Sequence, residues 1–541
     1  MTAAADATPS GPAREATSGP GLWLPLVMAA VAGGLMFCAF PPADIGELAW
    51  VSLPLFALAL TQCRRPGWGA LAGLVFGLSF YGPLLSYISA FGVVPWALVV
   101  LMESALLVAL GYLATQLNPL GRPLLRAAAS AALWVLVEYL REHRGAVSLT
   151  LGDIYHSQWG QPSLLQLASV GGGHLISFLM VLLSSALAIA AMAWLPGRLH
   201  RPAATGTALR RDAARTLVFC YLVFFAAFFW GNWAYRRGTG IIENLPERVA
   251  FRVSYVQAAV PMGHTATAEE AREAADAYLR LSDALPRGSD LIVWPETAIP
   301  AFLEQNDEYR EAVAEMARRK GSYLLAGGCE PAPMEKLYNT QFLFDPSGRI
   351  VDRYRKVHLV LFGEYVPWRK QLKFLERFPI RPFDYAPGDG YNVMQAGDMR
   401  FGNLICFESL FPQYTRLLCR LGAEFIVITT SDHWAQGTYE LAQHSRIEVF
   451  RAVEARRYVV RVATDGESMI ITPFGRRLSV LEIEEQGVQH DLVFPIEALS
   501  LYHRWGDWPL LLLCCVLWIG ALSGARGPLG RASRKAGSDA G

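Results

Sequence analysis

The chain has 541 residues, 53% of them apolar and only 18% charged, with a mean hydropathy of +0.26; this is too apolar for an ordinary soluble protein, and the length allows two or more domains. A net charge of +1 provides no basic field, so no nucleic-acid partner is expected. The eight cysteines include no C-x-x-C pair and no Cys/His ligand spacing, so neither a disulfide scaffold nor a metal site is expected, and no cofactor is implied.

Residues 1–21 are rich in Ala, Pro, Gly, Ser and Thr and read as a disordered tail. Apolar runs follow at Leu22–Phe40, Leu48–Gln62, Trp68–Ile88, Val94–Leu117, Leu124–Leu140, Ile176–Leu195 and Thr216–Tyr235, with an eighth at Trp508–Leu522. Each approaches the roughly 20 apolar residues of a membrane helix, although the second and fifth are short or flanked by charge. They predict a transmembrane domain over 22–235 and a last span over 507–523. Leu164–His174 is also apolar and reads as a membrane-surface element.

Basic residues set the orientation. With the N-terminus cytoplasmic, the inner segments carry Arg14, Arg64, Arg65, Arg122, Arg126, Arg198, Arg201, Arg210, Arg211 and Arg215, and the basic tail 524–541 adds Arg526, Arg531, Arg534 and Lys535. The short outer loops carry only Arg141 and Arg144. Both termini are then cytoplasmic, and segment 247–495 lies outside. Glu103 falls within a span and reads as a helix–helix hydrogen bond; Glu138 falls near the outer end of another.

Segment 247–495 reads as an α/β domain. Strands are predicted at Phe251–Gln257, Asp290–Trp294, Tyr323–Gly327, Asn339–Phe344, Ile350–Tyr354, Met399–Cys406, Glu424–Thr429, Tyr458–Ala463 and Ser468–Thr472. Helices are predicted at Ala266–Leu285, Glu308–Lys320, Phe411–Leu421 and Leu441–Arg456.

Three stretches of this domain carry chemistry. "IVWPETAIP" (292–300) sets Glu296 after a buried strand, "YRKVHLVLFGEYVP" (354–367) carries Lys356 and Glu364, and "ICFESLFP" (405–412) carries Cys406 at a strand-to-helix joint. A thiol nucleophile needs a base and a positive group or N–H donors for an oxyanion. Glu296 can be that base, Lys356 the cation, and the Phe407 backbone N–H a donor. A helix N-terminus at Cys406 would lower its pKa. Equally, Cys406 can be core, as Cys329 and Cys419 are read to be, Lys356 can be a solvated residue between Arg353 and Arg355, and His358, His433 or His444 can support a Cys–His pair.

The W-P-E-T, R-K-x-H-L-V-x-F-G-E-Y-V-P and I-C-F-E stretches resemble the nitrilase (carbon-nitrogen hydrolase) superfamily. Together with the eight-span frame they resemble the apolipoprotein N-acyltransferase family, as do "FPPADIGELAWVSLPLFAL" (40–58), "ALWVLVEYLR" (132–141), "SQWGQPSLLQLASVGG" (157–172) and "QHSRIEVFRAVEARRYVVR" (443–461). The resemblance covers about residues 22–523. It implies a polytopic α-helical membrane domain carrying an αββα nitrilase-like sandwich, in a bacterial inner membrane with the sandwich on the outer side. It assigns Glu296 as general base, Lys356 as oxyanion-stabilising lysine and Cys406 as nucleophile, with Glu364, Glu408 and Asn339 in support. It implies a phospholipid acyl donor, a Cys406 thioester, and a diacylglyceryl-cysteine lipoprotein as acceptor. Three loops depart from the family pattern: "VQAAVPMGHTA" (256–266), "TSDHWAQG" (430–437) and "ATDGES" (463–468). The alternatives are a membrane-tethered amidase or hydrolase of a small substrate and a non-catalytic lipid-binding scaffold.

Overall fold

The computed structural model of the chain describes residues 23–63, 65–117, 122–194, 207–260, 266–366, 369, 371 and 383–526. The expected N-terminal tail, Arg14, Arg64, Arg198, Arg201, most of the C-terminal tail with Arg531, Arg534 and Lys535, and part of the loop 256–266 lie outside these residues.

The first half is helical: α1 (Trp23–Cys38), α2 (Ala49–Gln62), α3 (Pro66–Leu84), α4 (Val93–Ala114), α5 (Pro123–Glu142), the short α6 (Pro162–Leu165) and α7 (Ala168–Gly171), α8 (Gly173–Trp194) and α9 (Thr207–Glu243). Proline at the first turn starts α3 and α5, where its missing N–H is not needed. Among the described residues, α3, α4, α5, α8 and α9 are long and apolar enough to cross a membrane. The predicted second span is a helix of only 14 residues, about 21 Å long, short of the roughly 30 Å hydrocarbon layer. Helix α9 runs well past Thr216–Tyr235 at both ends, because no proline or cap interrupts it before Asn244-Leu245-Pro246.

Small residues bring these helices together. In α3, a Cβ on Gly73 would lie 2.0 Å from the Leu107 carbonyl oxygen of α4, and Gly111 of α4 abuts Gly69 in the same way. Glu103 joins α4 to the end of α5: Arg141 Nε donates to it at 2.7 Å, and Arg144 pairs with its other oxygen. Glu138 is buried near the end of α5; Trp134 Nε1 donates to it at 3.0 Å and the Ile154 backbone N–H at 2.8 Å.

The second half is a four-layer sandwich. It comprises β1 (Phe251–Gln257), α10 (Ala268–Ala284), β2 (Leu291–Val293), α11 (Asp307–Lys320), β3 (Tyr323–Ala332), β4 (Lys336–Phe344), β5 (Ile350–Arg355), β6 (Val393–Ala396), β7 (Met399–Ile405), α12 (Pro412–Arg420), β8 (Phe425–Thr430), α13 (Glu440–Ala455), β9 (Val459–Ala463), β10 (Ser468–Ile471), β11 (Arg477–Leu481) and β12 (Gly487–Val493). Two helices, α14 (Leu501–Trp505) and α15 (Trp508–Arg526), return to the helical half. Local signals fix the helix ends: Thr267 and Glu270 form a reciprocal capping box at α10, and Gly321 at φ +66° closes α11.

The strands form two six-stranded sheets, ordered β12-β1-β2-β3-β4-β5 and β11-β10-β9-β8-β7-β6. Within each, three neighbouring strands are parallel: β1, β2, β3 and β7, β8, β9. Alternate residues such as Val253, Tyr255 and Leu325 meet Phe401, Ile405 and Val427 between the sheets. Helices α10 and α11 cover the outer face of the first sheet. On the second sheet's outer face, α13 is buried along nearly its whole length, because the helical half covers its other side. Residues 164–174 fill this seam: Arg456 binds Gln166 and Ser169, and Glu454 accepts the Gly173 N–H.

Candidate active site

The parallel strands of the two sheets end on one side of the sandwich, and the predicted site residues gather there. Glu296 follows β2, Lys356 follows β5, and Cys406 follows β7. All three are buried, at 5%, 1% and 8% exposure. This removes the reading of Lys356 as a solvated residue.

Lys356 Nζ lies 2.9 Å from Glu364 Oε1 and 3.4 Å from Glu296 Oε1. Asn339 Nδ2 donates to the same two carboxylates, at 2.6 Å to Glu296 and 3.3 Å to Glu364. The second oxygen of Glu296 accepts the Ser431 N–H at 2.6 Å, and that of Glu364 accepts the Val360 N–H at 2.8 Å. Each carboxylate is thus anchored at one oxygen and presents the other to the lysine. Burial disfavours the charge on Lys356, but Glu296, Glu364 and Cys406 overcome it and hold the ammonium well above its ordinary value.

Cys406 has a left-handed backbone, φ +53°, rare for a residue with a side chain. It opens a five-residue 3₁₀ turn, Cys406–Leu410, and α12 starts only at Pro412. The expected helix at Phe411–Leu421 therefore does not begin at the thiol, because Pro412 favours the first helical position. Its expected effect on the thiol is overturned too. Burial first, and then the Glu296 carboxylate, push the thiol well above its ordinary value; Lys356 and the neighbouring Thr430 hydroxyl pull it down. Strain at such an elbow is the kind stored at functional sites.

Glu408 is fully buried two residues on. It accepts the backbone N–H groups of Ile405, Val357 and His358 at 2.8, 2.8 and 2.9 Å and the Tyr354 hydroxyl at 2.9 Å. Burial pushes its carboxyl up to about 7 against the pull of these donors and Lys356. Phe407 stacks edge-on against Phe411, with ring centroids 5.2 Å apart.

The three histidines are engaged elsewhere. His358 Nδ1 meets the Tyr414 hydroxyl at 2.7 Å, and burial lowers its pKa to about 4. His433 faces Asp465 at 3.2 Å, and His444 Nε2 meets Ser409 Oγ at 2.9 Å. After burial, the groups that act most on the Cys406 thiol are Glu296, Lys356, Asp432 and Thr430, none a histidine.

Sequence reasoning missed Thr430 and Asp432, although both stand in the stretch 430–437 marked as a departure. Thr430 Oγ1 donates to Asp432 Oδ1 at 2.8 Å, and Arg461 holds the other oxygen at 3.0 Å. Asp432, Glu440 and His444 bring one ligand atom each within 4.8 Å of one another. Arg461 supplies positive charge there, pairing with both Asp432 and Glu448. None of the eight cysteines forms a disulfide.

A cavity of about 540 Å³ lies beside this site, lined by Val357, His358, Phe411 and Gln413 from the sandwich and by Glu142 and His143 from the end of α5. The site therefore sits at the seam between the sandwich and the helical half.

Comparison with known proteins agrees with both halves. Residues 252–491 match the model of the carbon-nitrogen hydrolase family, and residues 32–186 match that of the apolipoprotein N-acyltransferase N-terminal domain. Proteins named apolipoprotein N-acyltransferase match along nearly the whole chain. That of Azotobacter vinelandii is 30% identical, over 92% of this chain and 94% of its own length. That of Geobacter metallireducens is 29% identical, over 89% and 91%, and that of Gloeobacter violaceus 27%, over 94% and 96%. With the helical and sandwich halves both matched, and in the same order, the chain belongs to the apolipoprotein N-acyltransferase family.

Proposed function

We propose that this protein moves a fatty acyl chain from a membrane phospholipid, through a Cys406 thioester, to the N-terminal amine of diacylglyceryl-cysteine lipoproteins. The observation that carries the reading is the buried Glu296–Lys356–Cys406 set at the seam with an apolar helical half. Both lipid substrates have tails in a bilayer, so a thiol at that seam can meet their polar ends.

In the first half-reaction, Glu296 takes the Cys406 proton and the thiolate attacks the ester carbonyl. Lys356 Nζ and the Phe407 N–H stabilise the oxyanion. Collapse breaks the ester bond, and Glu296 returns the proton to the departing lysophospholipid alkoxide. In the second, the neutral α-amine attacks the thioester. Glu296 accepts a proton from the amine, an amide forms, and the Cys406 thiolate leaves and is reprotonated. Glu364 and Asn339 hold Lys356 and Glu296 in register, and Glu408 holds the elbow. The raised thiol pKa keeps Cys406 protonated until Glu296 acts, which limits wasteful side reactions of a free thiolate.

The arrangement in the membrane belongs to the same proposal. Residues 22–235 and 507–523 form the membrane domain, both termini are cytoplasmic, and the catalytic domain 247–495 lies on the outer side. Its support is the basic residues Arg122, Arg210, Arg211 and Arg215 at the ends of helices distant from the site.

The test is intact-mass spectrometry of the full chain incubated with phospholipid in detergent. The expected result is one acyl chain on Cys406, labile to hydroxylamine, absent in Cys406→Ala, and discharged by a diacylglyceryl-cysteine peptide. Discharge to water at the same rate with or without that peptide would favour a hydrolase, and no adduct under any condition would overturn the scheme.

A further inference from the structure

A second lipid-shaped feature lies at the far end of the helical half. A groove of about 810 Å³ runs between α5, α8, α9 and α15. Its walls are apolar, from Leu124, Phe178, Leu182, Phe219, Val223 and Leu513. Its polar end holds Arg122, Arg215 and Asp212. Arg215 and Asp212 pair at only 3.6 Å with both side chains more than half exposed, so neither is tied up. Two guanidinium groups against one carboxylate leave that end positive. From Arg215 to Val223 the wall extends eight residues along α9, about 12 Å, which suits an extended acyl chain.

This groove is remote from Cys406. Glu142, at the other end of α5, lines the cavity beside Val357 and Phe411. The 20 residues of α5 separate that end from Arg122 by about 30 Å, one hydrocarbon thickness. A lipid with its phosphate at Arg122 thus has its ester bonds near the opposite membrane face and cannot reach the thiol.

We propose that the groove binds one anionic phospholipid that is not a substrate. Its phosphate lies between Arg122 and Arg215, and an acyl chain lies against Phe178, Phe219 and Leu513. Charge complementarity selects this occupant: basic pockets between membrane helices attract anionic head groups, whereas a zwitterionic lipid brings its own cation to the arginines.

Native mass spectrometry of the full chain tests this, with phosphatidylglycerol and phosphatidylcholine of matched chains supplied together. The expected result is one retained phosphatidylglycerol, favoured about fivefold for each arginine that contacts it. Arg122→Gln with Arg215→Gln should reduce the preference to within about twofold. Ala128→Phe, which fills the groove wall, should lower retention of both lipids. Arg215→Gln alone, at a side chain 70% exposed, keeps the test available if the double variant does not elute as one species. Equal retention of the two lipids by the unaltered protein would overturn the proposal. So would a preference that survives the arginine substitutions, or a dimer that buries the groove and excludes lipid.

Discussion

Glu408 accepts the backbone N–H of Val357 at 2.8 Å, and its other oxygen accepts that of Ile405 at the same distance. One carboxylate therefore fastens the residue after Lys356 to the residue before Cys406. Replacing it by Gln leaves one acceptor oxygen where two are used and turns an NH₂ group towards N–H donors. We expect Glu408→Gln to lose roughly 1–3 kcal/mol of stability in thermal unfolding. The rate of acyl-enzyme formation should fall on the order of a hundredfold, with KM little changed, because small misplacement of reacting groups is costly. Unchanged kinetics in a folded variant would show that the clamp does not position the site.

Opposite charges act on the Cys406 thiol, and their signs separate two variants. Glu296 raises its pKa and Lys356 lowers it. Glu296→Gln removes a neighbouring anion, so more thiolate forms at a given pH and iodoacetamide should alkylate Cys406 faster. On the proposed scheme, acyl transfer from phospholipid should nevertheless collapse in the same variant, because the proposed base is gone; loss of a general base costs about 10²–10⁴-fold. Lys356→Met removes the cation and should slow both reactions. Slower alkylation of Glu296→Gln would reverse the assigned signs.

The pH profile follows from the same burial. A thiol held well above its ordinary value of 9.0 stays protonated throughout the neutral range. Its alkylation should climb about tenfold per pH unit and show no plateau on passing pH 9, because the thiolate fraction is still small there. A plateau between pH 6 and 8, read by mass spectrometry of the alkylated peptide, would show a stabilised thiolate instead.

The sequence made the chemistry easier to see than its surroundings. Glu296, Lys356 and Cys406 were legible because each follows an apolar strand in a short, distinctive stretch, and strand ends are where such folds expose functional groups. The sign of the thiol's shift was not legible. It depends on how deeply Cys406 is buried and on how near Glu296, more than a hundred residues away in sequence, comes when the two sheets pack together. Strands β6, β11 and β12 were missed because β6 has only four residues and those of β11 and β12 are mostly half-buried and lack an apolar run. The contacts of residues 164–174 with the sandwich were not legible, because an apolar segment that packs against protein has the same composition as one that packs against lipid.

Arg141 was read as an outer-loop charge, and its observed position yields the last prediction. Its guanidinium is 1% exposed and donates to Glu103 at 2.7 Å, to Asp153 at 2.5 Å and to the Leu151 carbonyl oxygen at 2.7 Å, with Tyr81 stacked on it. Arg141→Met leaves the buried Asp153 without its guanidinium partner and Glu103 with Arg144 alone. Removing one partner of a buried pair costs roughly 3–5 kcal/mol, because the remaining charge is neither solvated nor paired. Thermal unfolding in detergent should show that loss, whereas Arg144→Gln, at a side chain 14% exposed, should cost less because Arg141 still faces Glu103. Glu103→Gln with Arg141→Met should recover part of the single-variant loss, since both charges of one pair then go together. If Glu103 instead lined a substrate path, Glu103→Gln would raise KM for the lipopeptide acceptor while leaving the unfolding temperature in place.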